Sequence, residues 1–247
     1  MSQTVERAID MVEFIAAKPR TLGEIALHYE VHKSTALRLL QTLEARGFAR
    51  RDSGGRYTIG FRMIAVSQQA LDNLDIYGTA HPYLLSLSAE LGHTLHLAQL
   101  VGDEVLYVDK VEGRGAVKMY SRIGGSAILH TSGVGKAILA YLEEPLRQRV
   151  LDKLDLKRYT PTSITTAEEF ARELALTRQR GWAEDNGEFE EPINCVAVPV
   201  RDSRGLVSNA ISLTALKALA SLETLRTAVP RLLVTAEAIS RETGWTG

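Results

Sequence analysis

The sequence predicts an α+β protein with a small helical domain first and a larger domain of mixed strands and helices after it. Its 247 residues exceed the roughly 100 to 200 residues of a usual single domain. Apolar residues recur with the 3.6-residue period of helices in the first 47 residues, whereas from residue 94 they alternate with the period of strands. We expect the first domain at residues 1–60, a linker helix at 61–78 and the second domain at 79–247.

Charge is distributed unevenly between the two parts. Residues 1–62 contain ten basic and seven acidic side chains, a net charge of +3, while residues 63–247 have a net charge of −4. The segment 33–62 is strongly basic, with seven basic side chains and two acidic ones. This pattern indicates a module that binds a polyanion, joined to a domain that does not.

Composition excludes several classes of protein. Cys195 is the only cysteine, so neither an internal disulfide nor a cysteine-based zinc site within one chain is expected. The sequence contains no run of about 18 apolar residues, which is the length needed to span a membrane. Glu6 and Asp10 interrupt the first 20 residues, unlike a signal peptide. We expect a cytoplasmic protein that has no membrane partner, no cofactor and no metal.

Three short helices are expected in the first domain. The first covers residues 5–17, where apolar side chains keep the helical spacing. Thr21 begins the second, because Glu24 three residues later completes a capping box in which each side chain satisfies the other's free backbone N–H. The third covers residues 33–46, and Gly47 supplies the left-handed residue after it.

A β-hairpin with a basic tip should follow, built from residues 48–51 and 56–59 around the turn formers at 52–55. The third helix has an apolar face and a polar face. The apolar face consists of Ala36, Leu37, Leu39, Leu40 and Leu43. The polar face consists of Ser34, Thr35, Arg38, Gln41 and Thr42. A polar face is most often only solvated, but three helices followed by a basic hairpin are typical of a winged helix-turn-helix.

In that arrangement the second helix of the pair enters the major groove of DNA. Arg38, Ser34, Thr35 and Thr42 are then expected to read bases. The side chains expected to neutralise phosphates are Lys33, Arg50, Arg51 and Arg56. The expected partner is a double-stranded, partly palindromic DNA operator, since a two-fold protein binds a two-fold site.

The second domain should contain strands at both ends of a helical middle section. After a helix at residues 83–91, strands at 94–100, 104–111 and 117–121 predict an antiparallel meander. Thr131 or Ser132 should cap a helix that continues through Leu142. Further on, we expect a helix with Pro145 at its first position, and then a helix capped by Thr165 with Glu168 and ending at Gly181. Strands should follow at 182–188, 194–201 and 207–214. The last element should be a helix at 222–242 that Pro230 kinks or divides.

Five segments of this chain together resemble the IclR family of bacterial transcription regulators. They are Glu24-Ile25-Ala26, residues 33–43, residues 55–60, residues 131–137 and residues 195–200. The sequence departs from the family pattern at Glu30, where the turn usually carries glycine, and at His32, where Ser or Thr would be a better cap.

The resemblance implies a GAF-like effector-binding fold for the second domain and a linker helix that pairs with its copy in a homodimer or homotetramer. It also implies a regulator, expected to be a repressor, that senses a small organic acid. The effector-binding residues carried over are Met119, Ala127, Gly133, Val134, Asp185, Ile193, Cys195, Ser212 and Thr214.

The residues themselves support an anion site of this kind. The backbone N–H groups of Gly133, Val134 and Gly135 begin a helix, where unpaired donors and the helix dipole favour a carboxylate, although a cap and water also satisfy such groups. It is not a phosphate-binding P-loop, because Ala137 replaces the Ser or Thr that holds magnesium. By strand alternation Cys195, Ser212 and Thr214 can share one face while Val196 and Leu213 point away.

An acidic cluster lies close to this site in the sequence: Glu184, Asp185, Glu188, Glu190 and Glu191. A carboxylate facing an anionic ligand is repulsive unless it is protonated or accepts a ligand hydroxyl. A hydroxylated acid such as a sugar acid would meet both needs.

Two other functions remain as alternatives. The first is an enzyme on the second domain, with the first domain as a tether; Cys195 as a nucleophile is less favoured than a buried thiol, and no catalytic motif is evident. His93 and His96 lie three apart in a predicted strand, on opposite faces, and so would not share a metal, whereas in a helix they could. The second is an architectural DNA-binding protein without a ligand.

Overall fold

The structure is a computed structural model, and it describes residues 3–72, 76–114 and 120–247. The chain forms two compact units, Met1–Leu74 and Asp75–Gly247. Three predicted features lie at least partly outside the described residues. They are Met119, the expected linker helix at 61–78, of which residues 73–75 are not described, and the expected strand at 117–121, of which only Tyr120 and Ser121 are described and neither is in a strand.

The first unit contains the predicted three helices and hairpin, followed by a fourth helix. The elements are α1 (Gln3–Ala17), α2 (Leu22–His28), α3 (Lys33–Ala45), β1 (Ala49–Arg51), β2 (Tyr57–Ile59) and α4 (Phe61–Asp72). Strands β1 and β2 are antiparallel, with Arg50 opposite Thr58. This is the winged helix-turn-helix that the sequence predicts.

Local capping explains where the helices of this unit begin. The capping box is confirmed: the Thr21 N–H donates to Glu24 Oε2 at 2.7 Å, and the Glu24 N–H donates to Thr21 Oγ1 at 3.2 Å. Glu30 adopts the left-handed φ of 51° that the family's glycine would take. His32 acts as the N-cap of α3, since its Nδ1 accepts from the Ser34 N–H at 3.3 Å.

A small apolar core holds the first unit together. Its fully buried members are Met11, Ile15, Ile25, Ala36, Leu40 and Tyr57. Helix α3 therefore packs its apolar face inward through Ala36 and Leu40, which leaves Ser34, Arg38 and Thr42 exposed.

The second unit is built on one five-stranded antiparallel sheet. The strands are β3 (Thr94–Val101), β4 (Glu104–Val111), β5 (Ala183–Asn186), β6 (Ile193–Arg201) and β7 (Val207–Leu216), in the order β4-β3-β7-β6-β5. The helices are α5 (Ile76–Leu91), α6 (Gly133–Leu139), α7 (Leu146–Leu151), α8 (Ala167–Arg180), α9 (Leu222–Thr227) and α10 (Val229–Glu242).

Helices cover both faces of this sheet, so the unit has three layers. One face packs Val196 and Leu213 against α5, α9 and α10. The other packs Ala197 and Ala210 against α6 and its neighbours, including Phe170 of α8. Because neighbouring residues of a strand point to opposite faces, Cys195 lies on the α6 side.

Several predicted boundaries were wrong. Of the expected meander, the hairpin of β3 and β4 is present, while the third strand falls largely outside the described residues. Helix α6 stops at Leu139, because the N–H groups of Tyr141 and Leu142 bond three residues back in a tight turn instead of four. Helix α5 begins at Ile76, earlier than predicted, and continues past Pro82.

Caps were also misplaced by one residue in the second unit. Thr166, not Thr165, caps α8, because it has the extended backbone a cap needs and its Oγ1 accepts from the Glu169 N–H at 3.2 Å. Pro145 is the residue before α7 rather than its first residue. The predicted division of the last helix is confirmed: Pro230 lies in the first turn of α10, where its missing N–H costs no hydrogen bond.

Candidate functional site

A cavity of about 60 Å³ lies in the second unit where the start of α6 meets the sheet. Every described residue of the predicted effector set lines it: Ala127, Gly133, Val134, Asp185, Ile193, Cys195, Ser212 and Thr214. These residues are up to 87 positions apart in the sequence, so the tertiary structure brings them together. Since a cavity needs roughly 10 to 15 Å³ on this scale to hold one water, this one is large enough to admit water.

The start of α6 presents backbone donors to this cavity. Ser132 is the N-cap, and its Oγ accepts from the Gly135 N–H at 3.1 Å. The N–H groups of Gly133 and Val134 have no acceptor within the helix, because the first turn of any helix lacks preceding carbonyls. Both residues line the cavity and are buried, so an anion there would meet donors that are already oriented.

Glycine allows this helix start to lie directly on the sheet. A Cβ on Gly133 would lie 3.0 Å from Cys195 Sγ, and one on Gly135 only 2.6 Å from the Leu129 carbonyl oxygen. A side chain at Gly133 would push α6 away from β6, and one at Gly135 would clash with the segment just before α6. The glycines therefore serve packing first, and that packing brings the donors to the cavity.

Polar side chains from three adjacent strands form the floor of the cavity. Strand register places Cys195 opposite Thr214, and Ser212 opposite His96. The predicted shared face of Cys195, Ser212 and Thr214 is confirmed, since all three line the cavity.

Cys195 is buried among these groups. Burial, followed by the charge of Asp185, raises the pKa of its thiol to about 12. A thiol with such a pKa stays protonated near neutral pH and is a poor nucleophile. Its geometry agrees with the buried thiol expected from the sequence.

The five residues of the acidic cluster have different surroundings. Glu184 forms a bidentate ion pair with Arg226, with both N–O distances at 2.9 Å, away from the cavity. Glu191 is exposed. Asp185 lines the cavity, and burial raises its pKa to about 6 although Lys136 opposes the shift.

Lys136 is a functional candidate that the sequence analysis missed. It is fully buried in α6, and its Nζ donates to both carboxylate oxygens of Glu188 at 2.6 and 2.7 Å. Burial raises the pKa of Glu188 to about 7 despite this partner. The Glu188 N–H in turn donates to Asp185 Oδ1 at 2.7 Å, so the pair connects α6 to the cavity wall. A single lysine within the apolar run 134–139 was the available signal.

Other cavity residues were not assigned to the effector site from the sequence. They include His96, Tyr107, Tyr120, Phe189 and Glu190. Tyr120 and Phe189 form an edge-to-face ring pair, 4.9 Å between centroids, and Glu190 Oε2 accepts from the Tyr120 N–H at 3.3 Å.

The predicted DNA-binding residues all belong to α3 and the hairpin of the first unit. Lys33, Ser34, Arg38 and Thr42 are exposed on α3, while Thr35 is half-buried. The Thr42 hydroxyl donates to the Arg38 carbonyl oxygen at 3.0 Å, so its oxygen remains able to accept.

The three arginines of the hairpin have different contacts. Arg50 donates to the Ile59 carbonyl oxygen at 3.2 Å and lies over the Phe61 ring. Arg51 donates to the Tyr57 hydroxyl and lies 3.7 Å from a Glu44 carboxylate oxygen. Arg56 is exposed beside the turn. The Arg51 guanidinium is therefore already partly engaged in contacts within the protein.

Comparison with known proteins identifies the class of this chain. Residues 4–53 match the family model described as IclR helix-turn-helix domain, and residues 68–241 match the one described as bacterial transcriptional regulator IclR C-terminal. Together, these two matches identify the chain as a transcriptional regulator with a helix-turn-helix domain and an effector domain. The chain belongs to the IclR family.

Individual relatives agree with this assignment. The chain is 34% identical to the HTH-type transcriptional regulator KdgR of Dickeya chrysanthemi over 78% of its own length and 64% of that protein. It is 33% identical to the HTH-type transcriptional regulator XynR of Escherichia coli K12 over 87% of this chain and 86% of that one. The Thermotoga maritima IclR structure is 33% identical with a TM-score of 0.67, covering 98% of this chain and 99% of that one.

Two further properties concern membranes and metals. Among residues 3–72, 76–114 and 120–247, no helix has both the length and the apolar character to cross a bilayer. In the same part of the chain, no three His, Cys, Asp or Glu side chains are placed to hold a metal ion.

Proposed function

We propose that this protein is a ligand-responsive repressor whose DNA binding is controlled by a small hydroxylated carboxylic acid in the α6 cavity. One observation carries the proposal: backbone donors of Gly133 and Val134, a carboxylate at Asp185 and hydroxyls at Ser212 and Thr214 line the same buried space. The donors suit a carboxylate, and the acceptors suit hydroxyl groups.

Charge in the cavity favours a hydroxylated acid over a plain one. Lys136 is occupied by Glu188, so Asp185 has no cation of its own within hydrogen-bonding distance among the described residues. An anion bound at α6 would then lie near a second negative group unless Asp185 accepts a hydroxyl or takes up a proton. Sugar acids and shorter hydroxy acids share this chemistry.

A thermal-shift screen of carboxylic metabolites on the purified protein tests the ligand class. We expect hydroxylated acids to raise the unfolding temperature, because a ligand that binds only the folded state stabilises it. The hits should then release the protein from operator DNA. Stabilisation by only non-hydroxylated acids would contradict the proposed class, and turnover of a hit would favour an enzyme instead.

For DNA binding we propose that Arg38, Ser34, Thr35 and Thr42 read bases in the major groove. Exposure of Ser34, Arg38 and Thr42 on α3 supports this assignment. The proposed phosphate contacts are Lys33, Arg50, Arg51 and Arg56. Arg56 is the most available of these, since Arg50 and Arg51 already have contacts within the unit.

We propose a dimer as the form that binds a two-fold operator. An open apolar groove of about 770 Å³ lies between α1 and α3 of the first unit. Val5 and Ile9, which line it from α1, are more than half exposed, so a second copy could bury the same residues in return. Arg38 and Thr42 also line the groove, and the partner would have to leave their outer atoms free.

Repression is the proposed direction of control, because occupying a promoter requires no contact beyond the DNA itself. A reporter gene under the operator tests this, with and without the chromosomal copy of the regulator. Higher expression after deletion supports repression, and lower expression would indicate activation.

A further inference from the structure

The α6 cavity has a second group of polar residues that no effector assignment includes. Tyr107 on β4 and His96 on β3 both line it, and their ring centroids are 5.2 Å apart. They lie on strands, apart from the helix start that would hold a carboxylate. Their hydrogen-bonding capacity decides what they can recognise.

A β-bulge separates Tyr107, which lines the cavity, from Asp109 on the same strand. The β3–β4 register shifts between Leu97 and Ala98, so that Ala98 lies opposite Tyr107 while Leu97 lies opposite Asp109. Strict alternation along β4 would put Tyr107 and Asp109 on one face. The extra residue of the bulge instead separates them, and re-aiming a side chain is a known role of bulges.

The Tyr107 hydroxyl is available to a ligand. Within the part of the chain that the structure describes, it has no hydrogen-bond partner, although Asp185 and Cys195 lie close enough to influence it electrostatically. Burial, followed by electrostatic coupling to Cys195, raises the pKa of the phenol above its ordinary value. The group is therefore a permanent donor that can also accept.

His96 is held as a neutral imidazole. Its Nε2 is 2.8 Å from Ser121 Oγ, while its Nδ1 is 3.4 Å from both Ser212 Oγ and Thr214 Oγ1. Burial lowers the pKa of the ring to about 3, so one nitrogen donates and the other accepts. Contacts of 3.4 Å are long for hydrogen bonds, which leaves Nδ1 able to bind a ligand group.

We propose that Tyr107 and His96 are the specificity determinants that make this cavity select hydroxylated acids over acids of the same chain length without hydroxyls. This rests on the proposed acid-sensing function and names the residues that set its specificity. A plain acid would satisfy the donors of Gly133 and Val134 but leave the Tyr107 hydroxyl without a partner and the Asp185 carboxylate without a ligand hydroxyl. A site built to bond a hydroxyl rejects analogues that lack it for this reason.

Matched ligand pairs and the full-length protein test this. Binding of glycerate and propionate, and of gluconate and hexanoate, is measured by calorimetry on wild type and on Tyr107→Phe. The substitution removes only the hydroxyl, and we expect about tenfold or greater loss of affinity for the hydroxylated acid that binds, with little change for its plain counterpart. Tyr83→Phe is the control, since Tyr83 is also half-buried but its hydroxyl bonds Glu242 outside the cavity.

Ser121→Ala provides a second, independent variant. Ser121 holds His96 and also lines the cavity, so its loss should also weaken the binding of hydroxylated acids selectively. Unchanged selectivity in both variants, or equal loss of both ligand types, would overturn the inference while leaving acid sensing intact. If wild type binds none of the four acids and the wider acid screen is also negative, both the inference and the proposed function fail.

Discussion

Asp185 shows how the surroundings of one residue change its chemistry. Four other acids lie within seven positions of it. Among the acids of the cluster, Asp185 is the one that is almost fully buried, lines the cavity and has no cation at bonding distance in the described residues. Burial raises its pKa from the ordinary 3.8 to about 6. Asp185 therefore gains or loses its proton near pH 6, within the pH range in which proteins are studied.

This shift predicts a pH dependence of stability. Between about pH 4 and pH 6 the folded protein keeps the Asp185 proton while the unfolded chain has released it. The contribution of this group to the free energy of unfolding is thus present at low pH and lost as pH rises through 6, by up to about 3 kcal/mol. Asp185→Asn cannot titrate and should lack this fall.

Urea unfolding of both proteins at pH 4, 5, 6 and 7 measures the difference. Glu191→Gln, an exposed residue of the same segment, is the control and should follow wild type. Parallel curves for wild type and Asp185→Asn would show that Asp185 has an ordinary pKa in the folded state.

Arg38 and Arg56 differ in proposed role, and this gives a second prediction at the residue scale. Arg38→Ala should cost about 1 to 3 kcal/mol of operator binding and relax sequence preference, because a base contact is lost. Arg56→Ala should weaken all DNA sequences alike and reduce the salt slope by about one, because a phosphate contact is lost. Titrations of operator and scrambled DNA at several salt concentrations distinguish them. A uniform loss in both variants would refute the assignment of Arg38 as a base reader.

Among the elements, α6 connects the cavity to the rest of the second unit. Gly133 lets it contact β6, its first turn supplies donors, and its Lys136 bonds the segment between β5 and β6 through Glu188. Hydroxyls of Thr160 and Ser163 anchor the same segment, donating to the carbonyl oxygens of Gly187 and Glu188 at 2.7 and 2.6 Å. The cavity wall is therefore held from two sides.

Breaking the buried ion pair should be costly. Lys136→Met leaves Glu188 buried without a partner, and we expect a loss of about 3 to 5 kcal/mol in the free energy of unfolding. The double variant with Glu188→Leu removes the orphaned charge and should recover most of that loss. Chemical denaturation of the three proteins measures it, and equal destabilisation of single and double variants would show that packing rather than charge is responsible.

At the scale of the whole molecule, assembly and DNA binding should depend on the groove of the first unit. Ile9→Glu places a charge on an exposed apolar position of α1. We expect it to shift the protein toward monomer in sedimentation experiments and to weaken operator binding, because a two-fold site needs two linked copies. Acid binding should be unchanged, since the cavity lies within the second unit.

Glu13 lines the same groove, so Glu13→Gln is the matched control. We expect it to have little effect on the oligomeric state or on operator binding. A dimer that persists in Ile9→Glu with full operator affinity would place the interface elsewhere on the chain.

Local patterns were sufficient for much of this protein. The period of apolar residues predicted α1 and both faces of α3, and the spacing of Thr21 and Glu24 predicted a cap that the structure contains. Alternation in β6 and β7 predicted that Cys195, Ser212 and Thr214 share a face. These features depend on neighbours a few residues apart, which a sequence displays directly.

Other features depend on contacts between distant parts of the chain. Lys136 meets Glu188 across 52 positions, and His96 meets Thr214 across 118. Tyr107 of β4 lines the same cavity as Cys195 of β6, although 88 positions separate them. The sequence by itself determined the domain order, the helix faces and the family; the tertiary structure decided which buried charges and hydroxyls meet, because strand register and packing set distances that local spacing does not encode.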